Sequence, residues 1–270
     1  MKTWFLYGKG LSIVFVAFLF SCTPLENSNG VAAVYPTSDT LPANLLRMYI
    51  QFTEPMKTVG NLQKIKLTSS EGHEVKGAIF MNVHELWDEK QTQLTLIFDP
   101  GRVKTGLQAY EQLGWALRTG QTYELIVEGL ENIYHQEVRR FSKKFFVTEA
   151  DLEPPNIDLW QMSLPKSDSK DPLRLHFNEM VDQMSIRHRL VVIDGKGLLL
   201  PGTYSFDNNE LEWSFSPSEL WDKGFYTILV NSRLADPSGN NLNGLFDHPV
   251  GSLKYNKEGE LLRLDFEVDE

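Results

Sequence analysis

Cysteine is nearly absent from this chain, which contains a single thiol, Cys22, among 270 residues. One thiol cannot form a disulfide within the chain, and it cannot supply the several ligands of a cysteine-rich metal site. The fold must therefore be stabilised by its hydrophobic cores. Hydrophobic residues make up 41% of the chain and aromatic residues 11%, which is enough to build such cores.

Positive charge is also scarce. The chain has 26 lysine and arginine residues against 36 aspartate and glutamate residues, for a formal net charge of −10. Proteins that bind nucleic acid neutralise phosphates with clustered lysine and arginine side chains, and anionic lipid headgroups attract the same side chains. The charge balance therefore argues against nucleic acid and anionic headgroups as partners, and it indicates an acidic, hydrated surface.

Sequence motifs for catalysis are missing too. The chain has no Gly-x-Ser-x-Gly element, no phosphate-binding loop, no dinucleotide-binding glycine pattern and no His-x-x-x-His pair. The segment Asp236-Pro-Ser-Gly-Asn240, with Asn241, offers oxygen ligands for calcium, but it is equally typical of a turn in which the aspartate accepts backbone hydrogen bonds. We interpret it as a turn. We expect no enzyme, no catalytic residue, no cofactor and no metal ligand.

Only one long hydrophobic run occurs, and it lies near the N-terminus. Lys2 and Lys9 precede it, and residues 11–20 are apolar except for one serine. This arrangement is typical of an export signal, and the run is far shorter than the ~20 apolar residues that cross a bilayer as a helix. We predict that residues 1–21 are a signal peptide. An uncleaved membrane anchor is the less favoured alternative.

The residues Leu19-Phe20-Ser21-Cys22 end this run. They resemble a bacterial lipobox, in which the cysteine becomes the new N-terminus and carries lipid. The resemblance implies a lipoprotein attached through Cys22 to a membrane of the bacterial cell envelope, and we expect the outer membrane. Two or more acyl chains would anchor the protein stably. Plain secretion with an incidental cysteine is the alternative.

The rest of the chain contains an internal sequence repeat, in which one unit occurs twice. Apolar and polar residues alternate in residues 46–53, and they alternate again in residues 173–177. A period of two predicts a half-buried β-strand in each place. The strands end at Glu54 and Glu179, which we interpret as acceptors for backbone N–H groups in a turn rather than as a catalytic acid and base.

The repeat predicts two domains after a flexible tether at residues 22–34. The first domain is expected over residues 35–150 and the second over residues 151–270, because the proline pair at 154–155 stiffens the connection. Each domain is expected to fold as a separate unit, and the strand spacing is typical of an all-β sandwich. The predicted strands are 46–53, 63–67, 75–80, 94–98, 123–127 and 141–147, then 173–177, 189–193, 202–206, 211–215, 226–230 and 261–268.

The first domain carries an insertion near residues 101–115 that the second domain lacks. Binding residues are often found on loops, so a loop present in only one copy is the better candidate for a specific task. We therefore predict that the insertion contacts a partner with its basic and aromatic side chains. The alternatives are that it covers the open end of the sandwich or packs the first domain against the second. The predicted partner surface consists of Trp87, Arg102, Lys104, Tyr110 and Trp115.

Several of these landmarks resemble a known family. The elements Phe177-Asn-Glu179, Phe215-Ser-Pro217 and Asp236-Pro-Ser-Gly-Asn240 are similar to the bacterial Ig-like domain named after the S-layer protein SbsA. The first domain keeps the opening strand and Phe98-Asp-Pro100 but lacks the turn. The resemblance implies two tandem Ig-like β-sandwiches, an envelope setting and no catalytic residues.

From this resemblance we expect a non-catalytic envelope lipoprotein that acts in protein contact, spacing or assembly, with an envelope protein as its partner. Two alternatives remain. One is a glycan-binding lipoprotein that uses exposed aromatic side chains, which stack on sugar rings. The other is a hydrolase with a site that the motifs above do not reveal.

Overall fold

The computed structural model describes residues 30–82, 84–207, 209–248 and 256–269. The predicted signal peptide and Cys22 lie outside these residues. The first strand, β1, covers Val31–Tyr35, so the prediction of a flexible tether is wrong for residues 31–34. These residues are ordered because they pair antiparallel with residues 49–52. Within the described ranges, no helix is long and apolar enough to cross a membrane.

We call residues 30–150 the first module and residues 151–269 the second module. The elements of the first module are β1, β2 (Thr40–Pro42), β3 (Arg47–Phe52), a 3₁₀-helix (Leu62–Lys64), β4 (Ile65–Ser69), β5 (Leu86–Trp87), β6 (Gln93–Ile97), α1 (Pro100–Val103), α2 (Gln108–Leu113), β7 (Thr122–Val127) and β8 (Phe141–Thr148). One sheet has the order β1-β3-β6-β5 and the other β2-β8-β7-β4. Strand β2 runs parallel to β8.

The second module repeats this plan with fewer strands. Its elements are a 3₁₀-helix (Ile157–Leu159), β9 (Gln161–Ser163), β10 (Leu173–His176), α3 (Gln183–Arg189), β11 (Leu190–Asp194), β12 (Gly202–Phe206), β13 (Glu212–Pro217), β14 (Gly224–Asn231) and β15 (Leu261–Val268). The sheets have the orders β12-β13-β10-β9 and β11-β14-β15.

The strand order identifies both modules as immunoglobulin-like. If β9 to β15 are lettered A to G, one sheet contains A, B, E and D and the other C, F and G, which is the arrangement of a constant-type domain. The first module has the same two sheets, with β2 as an additional strand beside the last one. The prediction of an all-β chain with two tandem Ig-like sandwiches is confirmed.

One predicted strand does not form. Residues 75–80 were expected to form a strand, but Gly77 takes a φ of 66° and the flanking residues form only isolated bridges. The left-handed turn breaks any continuous ladder there. Helix α3 was not predicted. It occupies the connection before β11 and begins where the Asp182 side chain accepts a 2.7 Å hydrogen bond from the Ser185 N–H.

Each module encloses its own hydrophobic core. Phe52 in the first core is 2% exposed and Phe177 in the second is 7% exposed, so the predicted strand faces are confirmed. Met180, which follows the B strand of the second module, packs against the first core instead. A residue of the second module therefore contributes to the first core.

Candidate functional site

Arg102 does not belong to an exposed contact surface. The side chain is 7% exposed, and its Nε donates a 2.9 Å hydrogen bond to the Gly114 carbonyl while Nη2 donates a 3.0 Å bond to the Trp115 carbonyl. The guanidinium carries several donors, and here it satisfies backbone carbonyls that follow α2. The prediction that Arg102 contacts a partner is therefore wrong, because this side chain holds the insertion together.

The two aromatic residues of the insertion pack against each other, and one of them also packs against the first core. The rings of Tyr110 and Trp115 lie edge to face with centroids 6.0 Å apart. The Trp115 Nε1 donates a 3.3 Å hydrogen bond to the Val103 carbonyl, and the ring packs against the first core. Trp115 therefore has a structural role that the sequence pattern did not reveal.

The insertion also reaches the second module. The Lys104 Nζ lies 4.5 Å from the centroid of the Phe246 ring, which is cation–π geometry. The Thr105 N–H and Oγ1 donate hydrogen bonds of 3.1 and 2.8 Å to one oxygen of Asp247. This end of the insertion therefore packs the first module against the second, which is one of the alternatives that the sequence left open. Leu107 and Leu113, at the two ends of α2, are exposed.

Trp87 lies in a different part of the first module. Its ring centroid is 5.6 Å from that of Phe52, and its Nε1 donates a 3.0 Å hydrogen bond to Glu85. Trp87 forms part of the wall of an open cleft of about 590 Å³ that also includes Asn82 and His84. Arg102 and Trp115 line a separate cleft, so Trp87 and the insertion do not share one pocket.

A set of polar contacts joins the two modules at their junction. The predicted turn at 236–240 is confirmed, since the Asp236 side chain accepts a 3.0 Å hydrogen bond from the Asn240 N–H. Inside the turn, the Pro237 carbonyl accepts bonds of 2.9 and 3.2 Å from the N–H groups of Leu46 and Arg47 at the start of β3. A Cβ on Gly239 would lie 2.6 Å from Leu46 Cδ2. The turn of one module is thus closely fitted to the other.

A buried carboxylate completes this contact. The Tyr49 hydroxyl donates a 2.6 Å hydrogen bond to Asp182 Oδ2, and Arg47 Nη1 lies 3.7 Å from the same oxygen. Burial raises the pKa of Asp182, although the bond from Tyr49 and the charge of Arg47 oppose the shift. Burial and the neighbouring Asp182 raise the pKa of Tyr49. Tyr49 therefore stays protonated and serves as a permanent donor.

A second carboxylate crosses the junction nearby. Both oxygens of Glu210 accept 3.1 Å hydrogen bonds from the Thr37 N–H, and the Lys143 Nζ donates a 2.8 Å bond to the Thr37 carbonyl. Burial raises the pKa of Glu210 to about 7. This contact ties the segment before β2 to the loop before β13.

We call residues 151–156, at the start of the second module, the linker, and amide side chains hold its first residue in place. The Asp151 N–H donates a 2.8 Å hydrogen bond to Asn44 Oδ1, and the Asn44 Nδ2 donates a 2.8 Å bond back to the Asp151 carbonyl. The Asn240 Nδ2 donates to the same carbonyl at 3.2 Å. One residue of the linker is thus bonded to both modules.

Three carboxylates converge beside this linker. One oxygen from each of Asp151, Glu179 and Asp236 lies within 4.8 Å of the others. Burial raises the pKa of each group, to about 8 for Glu179, and the charge of Asp151 raises the pKa of Glu179 and Asp236 further. Within the described part of the chain, Glu179 Oε1 is buried without a hydrogen-bond partner. The prediction that Glu179 accepts backbone N–H groups is therefore wrong for this oxygen.

Sequence reasoning missed the junction. The Asp236–Asn240 turn was predicted as a turn. The contact of its Pro237 carbonyl with the first module and the place of Asp236 in a buried carboxylate cluster were not predicted. The only available signal was the order of side chains in that turn, which does not tell which neighbour the turn meets. Asp151 and Glu179 lie far from Asp236 in sequence, so no spacing rule connects them.

Comparisons with known proteins add to this description. No family model matches the chain, and no curated protein matches it. Among solved structures, the N-terminal part of the bacterial S-layer protein SbsC is 12% identical with a TM-score of 0.31, over 90% of this chain and 44% of that chain. Two fibronectin type III domains of chicken tenascin are 11% identical with a TM-score of 0.23, over 83% of this chain and 93% of that chain. This chain therefore spans less than half of the S-layer fragment, and the fold assignment rests on the sheets described above.

Proposed function

We propose that this protein is a non-catalytic cell-envelope lipoprotein whose two Ig-like modules act in protein contact, spacing or assembly. The observation that carries the proposal is the junction, where Leu46, Arg47 and Tyr49 of the first module are hydrogen-bonded or ion-paired to the second. Buried bonds of this kind hold two sandwiches in one relative orientation. A fixed pair of modules keeps its exposed loops at a set separation, as a spacer or contact protein requires.

The envelope location rests on the lipobox-like residues that end at Cys22. We expect Cys22→Ser to release the protein from the membrane fraction, because no acyl chain can then be attached. The measurement is fractionation of cells followed by detergent phase partitioning, with the unaltered chain in parallel. Unchanged partitioning of the variant would show that the lipid anchor is not there.

We propose a different contact surface for the insertion. Arg102 and Trp115 hold the insertion in place, and Lys104 lies against Phe246. The exposed apolar side chains of this segment are Leu107 and Leu113, and we assign the partner contact to them. Exposed apolar side chains beside polar ones are the usual centre of a protein interface.

Site-specific photo-crosslinking in cells tests this assignment. A photoreactive amino acid at position 107 or 113 should give a discrete heavier adduct, and Leu107→Asp with Leu113→Asp should remove it while the protein stays folded. Leu164, an exposed leucine of the second module, provides the matched control position. Equal crosslinking at 107, 113 and 164, or none at 107 and 113, would reject α2 as the contact.

Glycan binding is the second candidate function, and the cleft beside Trp87 favours it. This cleft combines an aromatic wall with the polar side chains of Asn82 and His84, a combination suited to a sugar ring. A glycan array should give a hit that the double substitution Asn82→Ala, His84→Ala removes. The aromatic residue itself is unsuitable for this test because Trp87 packs on Phe52.

A further inference from the structure

The three carboxylates at the junction come from three separate segments. Asp151 lies in the linker, Glu179 lies just after β10, and Asp236 opens the turn that contacts the first module. One oxygen of each lies within 4.8 Å of the others. Three negative charges at this separation repel one another strongly in a partly buried setting.

Among the residues that the structure describes, no positive side chain is paired with these charges. Within the described residues, neither lysine, arginine nor histidine forms an ion pair with Asp151, Glu179 or Asp236. The neighbouring charge acting on Asp151 and Glu179 is a further acid, Glu153. An unpaired buried carboxylate is costly unless a cation or a proton joins it.

Asp236 gives independent evidence that a ligand belongs here. The residue is 0% exposed, and its Oδ1 accepts from the Asn240 N–H. Its Oδ2, however, has no hydrogen-bond partner within the described residues, and the same holds for the buried Glu179 Oε1. Buried polar atoms are almost always bonded, so two orphan oxygens in one small cluster indicate a missing partner.

We propose that Asp151, Glu179 and Asp236 bind a divalent cation, and that the cation is calcium. Calcium is coordinated by carboxylate and carbonyl oxygens at 2.3–2.6 Å in flexible geometry, whereas magnesium demands a regular octahedron and retains its water. All three side chains supply oxygen and none supplies nitrogen or sulfur, which disfavours zinc. A charge of +2 also removes most of the repulsion within the cluster.

The position of the cluster gives the ion a role in joining the modules. Asp151 is hydrogen-bonded to Asn44 of the first module, and Asp236 opens the turn whose Pro237 carbonyl accepts from Leu46 and Arg47. A calcium ion would therefore tie the linker to the same turn that contacts the first module. This inference concerns the junction and does not depend on which partner or membrane the protein uses.

Calcium titration of the full-length protein in detergent tests the proposal. After treatment with a chelator and its removal, the midpoint of thermal unfolding should rise by several degrees when CaCl₂ is added in the millimolar range, since extracellular calcium modules bind at about 10⁻⁴–10⁻³ M. NaCl at equal ionic strength should give no such rise, and MgCl₂ should give a smaller one. Isothermal titration calorimetry should report one site.

Matched variants locate the site. Glu179→Gln should abolish the calcium-dependent rise and weaken binding at least tenfold, because one of the three carboxylate ligands is gone. Glu54→Gln, at the equivalent strand end of the first module, should keep the full response. If Glu179→Gln does not fold, Asp151→Asn replaces it.

Three results would contradict the calcium proposal. The proposal is overturned if the wild type shows no rise beyond that in NaCl, which would mean that protons alone neutralise the cluster. It is also overturned if Glu179→Gln and Glu54→Gln respond to calcium equally. A magnesium response equal to that of calcium would reject calcium as the occupant.

Discussion

The Tyr49 hydroxyl of the first module and the Asp182 carboxylate of the second are joined by a 2.6 Å hydrogen bond. Tyr49 lies on β3, the strand whose sequence pattern is repeated in the second module, and Asp182 caps α3. The bond therefore links the central strand of one sandwich to a helix that the other sandwich inserts between its B and C strands. Both residues are buried, so removing the hydroxyl leaves the carboxylate without a donor that water could easily replace.

Tyr49→Phe should destabilise the protein by about 1–3 kcal/mol, because it leaves a buried carboxylate with one donor fewer. The measurement is urea unfolding at neutral pH. Tyr134→Phe is the control, since Tyr134 is exposed, and it should change the free energy of unfolding by less than about 0.5 kcal/mol. Equal effects of the two variants would mean that the Tyr49 bond contributes little.

Gly239→Ala should be more damaging than Gly72→Ala. Both glycines have positive φ, 88° and 80°, so an alanine at either position costs about 1–2 kcal/mol of backbone strain. Only at Gly239 would the new Cβ also meet Leu46 Cδ2 at 2.6 Å, whereas nothing lies within 4 Å at Gly72. The overlap should add about 1–3 kcal/mol. Chemical denaturation of both variants measures the difference, and identical losses would contradict a tight fit between the modules.

Phe52→Ala and Phe177→Ala should each cost about 3–5 kcal/mol, since each removes a buried ring from one of the two cores. Phe225→Ala is the matched control because this side chain is 68% exposed, and we expect a change below about 1 kcal/mol. Equilibrium unfolding in guanidinium chloride checks all three. Near-neutral results at Phe52 and Phe177 would contradict the burial of both rings.

Glu210 should make stability fall as the pH rises. Burial raises its pKa from 4.5 to about 7 in the folded protein, so between these values the folded state retains a proton that the unfolded state has lost. Stability from this group is complete below pH 4.5 and disappears as the pH passes about 7. The total is on the order of 3 kcal/mol.

Glu210→Gln isolates that contribution. We expect the free energy of unfolding of the variant to fall less than that of the wild type between pH 5 and pH 8. The comparison cancels the titration of the other buried acids, and one amide oxygen can still accept from the Thr37 N–H. Parallel pH curves for the two proteins would contradict the raised pKa of Glu210.

The strands were predictable because their cause is local. In residues 46–53 and 173–177, one side of each strand faces a core and the other does not, so the sequence itself alternates. Arg102 was misjudged because charge usually indicates exposure, whereas here backbone carbonyls of the insertion satisfy the guanidinium. The carboxylate cluster could not be predicted from the sequence for another reason. It exists only once the linker, the B strand and the turn have been brought together by the whole fold.

The early start of β1 sets how far the first module can lie from Cys22. Strand β1 begins at Val31, and Cys22 precedes it by nine residues. A chain segment of that length reaches at most ~30 Å when fully extended. If Cys22 carries lipid, the start of the first module stays within that distance of the bilayer surface. A partner that contacts strand β1 would then have to lie in or close to the same membrane.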